Sequence, residues 1–217
     1  MKKPKKLTNL PASVKERLLN VAKKNKTDFN SLLRQYFQER FLFRLSKSIY
    51  ANNFILKGAL LFLAYNISRL RPTQDIDFQG KQIPNDFDSF RSVVSEIVSI
   101  QAEDGVVFSK ENISVDRIKE DADYEGIRIK IKAKLGSIRD VIQIDIGFGD
   151  PIVHGPKKIT YPAILDFEAP VVNAYSIVNR ISGNNILSAF LIISSKFAFE
   201  LVNNNFFSCL ELRISMY

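Results

Sequence analysis

The sequence predicts an α+β fold: a small mixed or antiparallel sheet packed with helices, with further helical portions at the N- and C-terminal ends. Three observations carry this. Val14, Leu18, Val21 and Ala22, and then Leu32, Leu33, Tyr36, Phe37 and Phe41, recur at helical spacing. Ile127, Ile129, Ile131, Ala133 and Leu135 alternate with Arg128, Lys130, Lys132 and Lys134, which is a half-buried strand with one continuous basic face. Residues 141–148 repeat that alternation after a short connection, so the two segments form an antiparallel hairpin with a loop at 136–140.

Along the chain, Ser13-Val14-Lys15-Glu16 has the spacing of a capping box and marks the start of the first helix. Asp28 starts the second, whose wide apolar stripe implies burial. Phe54-Ile55-Leu56 reads as a short buried strand that ends at Lys57-Gly58, and residues 59–65 begin a helix packed against it. Pro72 and Thr73 break that run and lead into Asp75-Ile76-Asp77-Phe78, a strand of alternating acid and apolar positions. Phe87, Phe90, Val94, Ile97 and Val98 make an amphipathic helix closed by Asp104-Gly105. Phe41, Phe43, Phe62 and Phe87 are expected in the core. On the last strand Val141, Gln143, Asp145 and Gly147 share a face, which puts an acid in mid-strand. The expected division is a helical portion at 1–50, a central core at 51–175 and a helical tail at 176–217.

Composition narrows the function classes. The chain has 217 residues, 46% hydrophobic and 25% charged, as globular proteins do, and its length suits one domain or one core with an accessory piece. No apolar run approaches the ~18 residues of a membrane span, and the basic start is followed by no apolar stretch, so a cytoplasmic location is expected. One cysteine (Cys209) and one histidine (His154) exclude an internal disulfide framework and a Cys/His zinc site. Any bound metal therefore sits on oxygen ligands. His154 reads as a loop residue and Cys209 as a small hydrophobe. The net charge of +8 points to a polyanionic partner such as nucleic acid or nucleotide. Part of it lies in an N-terminal cluster that includes Lys2, Lys3, Lys5 and Lys6.

The chemistry-bearing residues are carboxylates. Asp75 and Asp77 stand two apart on a strand, so their side chains project to one side. Unit charges ~4 Å apart repel by about 4 kcal/mol at an effective dielectric near 20, so a positive group is expected between them. A hard divalent cation such as Mg2+ meets that need and leaves room for substrate phosphates. Asp145, on a separate strand, either completes this site or pairs with Arg128 or Lys130 across the hairpin. Three carboxylates around Mg2+ suit phosphoryl or nucleotidyl transfer. The Lys57-Gly58 turn, between a strand and a helix, is placed to receive phosphate on backbone amides, and the basic strand face beside Asp145 can hold a triphosphate.

Phe54-Ile55-Leu56-Lys57-Gly58-Ala59-Leu60-Leu61, Arg71-Pro72-Thr73-Gln74-Asp75-Ile76-Asp77-Phe78, Tyr124-Glu125-Gly126-Ile127-Arg128 and Ile142-Gln143-Ile144-Asp145-Ile146-Gly147-Phe148-Gly149-Asp150 resemble, in order, the motifs of the nucleotidyl transferase AbiEii/AbiGii toxin family. The likeness spans roughly residues 10–176 and continues through Tyr161-Pro162-Ala163-Ile164-Leu165-Asp166-Phe167. It implies a minimal nucleotidyltransferase fold of the polymerase-β type, acting as the toxin of a toxin–antitoxin, phage-defence pair. Some members transfer a nucleotide from an NTP to the acceptor end of tRNA. Carried over, Asp75 and Asp77 are the metal-binding pair and Asp145 the third carboxylate and base, with Gly58 in the nucleotide-contacting glycine motif. Lys57, Arg71, Arg128 and Lys130 are assigned to phosphate. Ala59 stands where polymerase-β relatives usually have serine. After Tyr175 the family's acidic motifs are missing, so the tail is expected to be divergent or truncated. The implied partners are an NTP, tRNA or another acceptor, and a cognate antitoxin, with Mg2+ as cofactor and no membrane. The alternative is a catalytically impaired member that binds nucleic acid or antitoxin.

Overall fold

A computed structural model describes residues 9–65, 73–83, 86–120, 124–149 and 155–175. The N-terminal lysines 2, 3, 5 and 6, His154 and the whole tail from 176, with Cys209, lie outside the described residues.

Helix α1 (Leu10–Asn25) begins three residues before the expected Ser13. Asn9 is its N-cap, accepting from the Ala12 amide at 3.2 Å, and Pro11 sits in the first turn, where a missing N–H costs nothing. Ser13 is already inside the helix, its amide bonded to the Asn9 carbonyl. Helix α2 (Phe29–Lys47) starts as read, with Asp28 Oδ2 accepting from the Ser31 amide at 2.7 Å.

The remaining elements are β1 (Phe54–Lys57), α3 (Leu60–Ala64), β2 (Asp75–Gly80), α4 (Phe87–Ser99), β3 (Val106–Phe108), β4 (Ser114–Glu120), β5 (Tyr124–Leu135), β6 (Ile138–Gly147), β7 (Lys157–Thr160) and β8 (Val171–Ala174). They form an eight-stranded mixed sheet in the order β3-β5-β6-β2-β1-β8-β7, with β4 also beside β5. The β2–β6 and β1–β8 pairs are parallel and the others antiparallel. The fold is thus the expected α+β arrangement, with the sheet extended by β3, β4, β7 and β8. Those strands carry too few alternating apolar residues to announce themselves: β7 reads Lys-Lys-Ile-Thr.

The hairpin is tighter than its sequence suggested. Strand β6 starts at Ile138, so the loop is Gly136-Ser137, with Gly136 in the left-handed region at φ 61°. Asp140 lies within β6, on the opposite face from Asp145, and accepts from Arg34 of α2 at 3.0 and 3.3 Å.

The inner sheet face is apolar. Ile76, Phe78, Ile129, Ile131, Ile144 and Ile146 are buried beneath α2 and α4. Phe41 is in this core, while Phe43 and Phe62 are half-buried. Phe87 is 37% exposed, as the first residue of α4, with the Arg117 guanidinium over its ring.

Helix α4 ends at Ser99, before the expected Asp104. Asp104 instead forms a fully buried pair with Arg44 of α2, at 2.7 and 3.1 Å, and accepts from the Val106 amide at 3.0 Å. Beside it, buried Glu39 pairs with Arg40 and accepts from the Ile164 amide at 2.7 Å. Desolvation raises the Glu39 pKa, against the pull of Arg40. These bonds tie α2 to the 104–106 and 164–168 connections and hold the helix layer in register with the sheet.

Candidate active site

The opposite sheet face is polar, and pairing register assembles the site on it. Lys57, Asp77, Asp145 and Arg128 are successive register partners across β1, β2, β6 and β5, and Asp116 of β4 continues the row. One row over, Asp75 pairs with Gln143, and Gln143 with Lys130. Because β2 and β6 are parallel, Asp77 and Asp145 stand side by side although 68 positions separate them in the chain (145 − 77).

One carboxylate oxygen from each of Asp75, Asp77 and Asp145 lies within 4.8 Å of the others, and all three side chains are half-buried. At that separation two unit charges repel by about 3.5 kcal/mol at an effective dielectric near 20. The Asp77 pKa accordingly rises, first because the carboxyl is desolvated and then because Asp75 and Asp145 face it; a hydrogen bond from the Ala59 amide and the charge of Lys57 oppose the rise.

Asp145 is held by three donated bonds. Arg128 gives Nε to Oδ1 at 2.9 Å and Nη2 to Oδ2 at 2.7 Å, and Gln143 Nε2 reaches Oδ2 at 3.2 Å. The sequence left Asp145 open to two roles, joining the other acids or pairing with Arg128, and the fold realises both. Thr73 Oγ1 bonds Asp75 Oδ1 at 3.1 Å.

Gly58 adopts φ 68° directly beside the pair, and a Cβ built there would land inside the Asp77 carboxylate. The Lys57 ammonium lies over the glycine of β6: a Cβ on Gly147 would be 2.9 Å from Lys57 Nζ. Two glycines thus clear space for two charged groups. Lys130 is exposed on the same face, one row from Asp145. Arg71 lies outside the described residues.

Thr73, Gln143, Gly147 and Asp116 were not singled out from the sequence. For Gln143 and Gly147 a signal existed, since period-two alternation puts both on the Asp145 face. For Asp116 none did, because its position depends on a strand the pattern did not reveal.

The donor set is all oxygen, three carboxylates crowd within 4.8 Å of one another, and a hard divalent cation matches both features. The profile of the nucleotidyl transferase AbiEii toxin family, of type IV toxin–antitoxin systems, matches residues 40–179, more than half of the chain and the stretch that builds this site. The chain belongs to the AbiEii nucleotidyl transferase toxin family. Two solved structures are also similar: JHP933 from Helicobacter pylori, at 16% identity and TM-score 0.45, and a putative nucleotidyltransferase from H. pylori, at 16% identity and TM-score 0.43. Each alignment covers 69% of this chain but only 53% and 55% of the respective neighbour, so this AbiEii member spans about half their length. No curated protein gives a significant match. Among the described residues no helix is long and apolar enough to cross a membrane.

Proposed function

We propose that the protein transfers a nucleoside monophosphate from an NTP to an acceptor hydroxyl, with Mg2+ as cofactor and tRNA as acceptor. It would act in the cytoplasm as a phage-defence toxin held in check by an antitoxin. The observation that carries this reading is the convergence of Asp75, Asp77 and Asp145 from two strands onto one polar sheet face.

Asp75 and Asp77 would hold the cation, with Asp145 beside them; when bound, it would neutralise charge developing on the transferring phosphoryl group. The acceptor oxygen forms a bond to the α-phosphorus, the bond to the pyrophosphate oxygen breaks, and the hydroxyl proton leaves to a base. Asp145 is that base in this reading. A carboxylate has about four acceptor positions. Three on Asp145 are filled by Arg128 and Gln143, which leaves one, on Oδ1. That count orients the carboxylate and limits it to one further partner. Lys57, on the far side of Asp77, would meet the triphosphate in this reading, as would Lys130; their register beside the acids supports it.

The test is incorporation of labelled nucleotide into bulk tRNA, with each of the four NTPs separately and with or without Mg2+, compared with Asp77→Asn. Mg2+-dependent label that disappears in the variant supports the reading, and shortened RNA would indicate a nuclease. The Arg128 grip on Asp145 favours a second reading, a binding protein with an impaired centre, which predicts tRNA binding without label under every condition.

A further inference from the structure

The polar sheet face does not end at the carboxylates. From Arg128, strand β5 continues with Lys130, Lys132 and Lys134, all exposed, and Arg139 of β6 lies opposite Lys134 in register. Alternate residues of a strand are about 6.8 Å apart, so the row from Arg128 to Lys134 runs for about 20 Å. None of the Lys130, Lys132, Lys134 and Arg139 side chains makes a hydrogen bond or an ion pair among the described residues.

Such a row has a cost within the fold. Like charges directly opposite on neighbouring strands destabilise, and Lys134 with Arg139 is such a pair. Where this face carries acid, at Asp75, Asp77, Asp145 and Asp116, it stands in the Arg128 row or the Lys130 row beside it, at the end occupied by the candidate active site. Exposed Val141 pairs with Lys132, and Val107, 61% exposed, with Lys134, which places small apolar surface beside the cations. A solvated basic surface needs neither this straight alignment nor its direction toward the catalytic row.

We infer that the far part of this row, Lys132 and Lys134 with Arg139 beside them, is the track for the acceptor strand: it binds successive phosphates of an RNA and delivers the terminal hydroxyl to Asp145. A triphosphate is too short to reach Lys134 from the carboxylates, whereas alternate strand lysines match the step between successive phosphates of an extended chain. Phosphate contacts of this kind position a strand without reading its bases. The inference rests on the proposed nucleotidyl transfer for its direction, and on the charge array alone for its ligand class.

The test is the triple variant Lys132→Gln/Lys134→Gln/Arg139→Gln, all exposed and none assigned to the NTP, compared with Lys132→Arg/Lys134→Arg/Arg139→Lys. Bulk tRNA binding is measured across a salt series, and KM is determined for tRNA and for the NTP. Neutralising three phosphate contacts on a single strand should lower the slope of log K against log salt by about 2 and weaken tRNA binding at least about tenfold. KM for tRNA should rise, KM for the NTP should stay put, and the charge-preserving variant should behave as wild type. An unchanged slope overturns the inference. So does a parallel rise in KM for the NTP, or loss of poly-aspartate binding with tRNA binding intact, which would make the row a site for an acidic protein. If the wild type labels no RNA, the proposed transfer fails, while the salt slope still decides whether the row binds RNA.

Discussion

Arg128 grips Asp145 with two parallel hydrogen bonds, at 2.9 and 2.7 Å, one to each carboxylate oxygen. A fork of this kind is charge-assisted and fixes orientation as well as distance. It puts one cation on one side of a cluster of three acids. Replacing Arg128 by Gln leaves Asp145 facing Asp75 and Asp77 without that charge. The expected loss is about 1 kcal/mol in Mg2+-free denaturation, below the ~1.5–3 kcal/mol of a charged hydrogen bond because the arginine is partly exposed. Mg2+ should then raise the melting temperature of Arg128→Gln more than that of wild type. Equal shifts would mean that guanidinium and cation do not share the same charge.

Asp77 sets a dependence on pH. Its folded pKa is raised by burial, and by Asp75 and Asp145, above the ordinary 3.8. The folded state therefore binds this proton more tightly than the unfolded chain does. The resulting stability is fully present below the unfolded value and is lost as pH rises through the folded one. At neutral pH the ionised group is a burden, so Asp77→Asn should melt higher than wild type at pH 7 in Mg2+-free buffer. The difference should close as the pH approaches 3.8. The same variant should lose at least about a hundredfold in rate, equivalent to about 2.7 kcal/mol of barrier. A variant that melts lower at pH 7 would show that the three acids do not strain one another.

Gly58 and Gly149 separate two effects of adding a methyl group. Both have positive φ, 68° and 89°, so alanine at either costs about 1–2 kcal/mol of backbone strain. Only at Gly58 does the new Cβ overlap the Asp77 carboxylate; at Gly149 it meets nothing within 4 Å. Initial rates measured on folded protein should fall at least about tenfold for Gly58→Ala, as displacement of a reacting group by about 1 Å allows. Gly149→Ala should stay near wild type, and similar losses in both would assign the effect to strain alone.

The Arg44–Asp104 pair belongs to the helix layer, across the sheet from the acids. Both side chains are almost fully buried. Asp104→Ala leaves the guanidinium buried with only the carbonyls of Arg40 and Val106 to bond. Denaturant unfolding should show a loss of about 3–5 kcal/mol. The turnover of the folded fraction should not change, since no atom of this pair reaches the polar face.

Alternation along β5 and β6 was enough to give the hairpin, its basic face and the place of Asp145 among polar neighbours, because side-chain direction in a strand is local. The spacing of Asp75 and Asp77 likewise fixed a like-charge pair that needs a counter-charge. Local pattern could not say that β6 lies parallel beside β2, and that single pairing brings Asp145 to Asp77. Nor could it choose between metal and arginine for Asp145, since register supplies Asp77 on one side and Arg128 on the other. It mistook Asp104 for a helix terminator, because what fixes that acid is Arg44, 60 residues away. The chain by itself determined which residues share a face; the tertiary fold decided which faces meet, because strand order and long-range charge pairing are properties of the packed sheet and leave no period in the sequence.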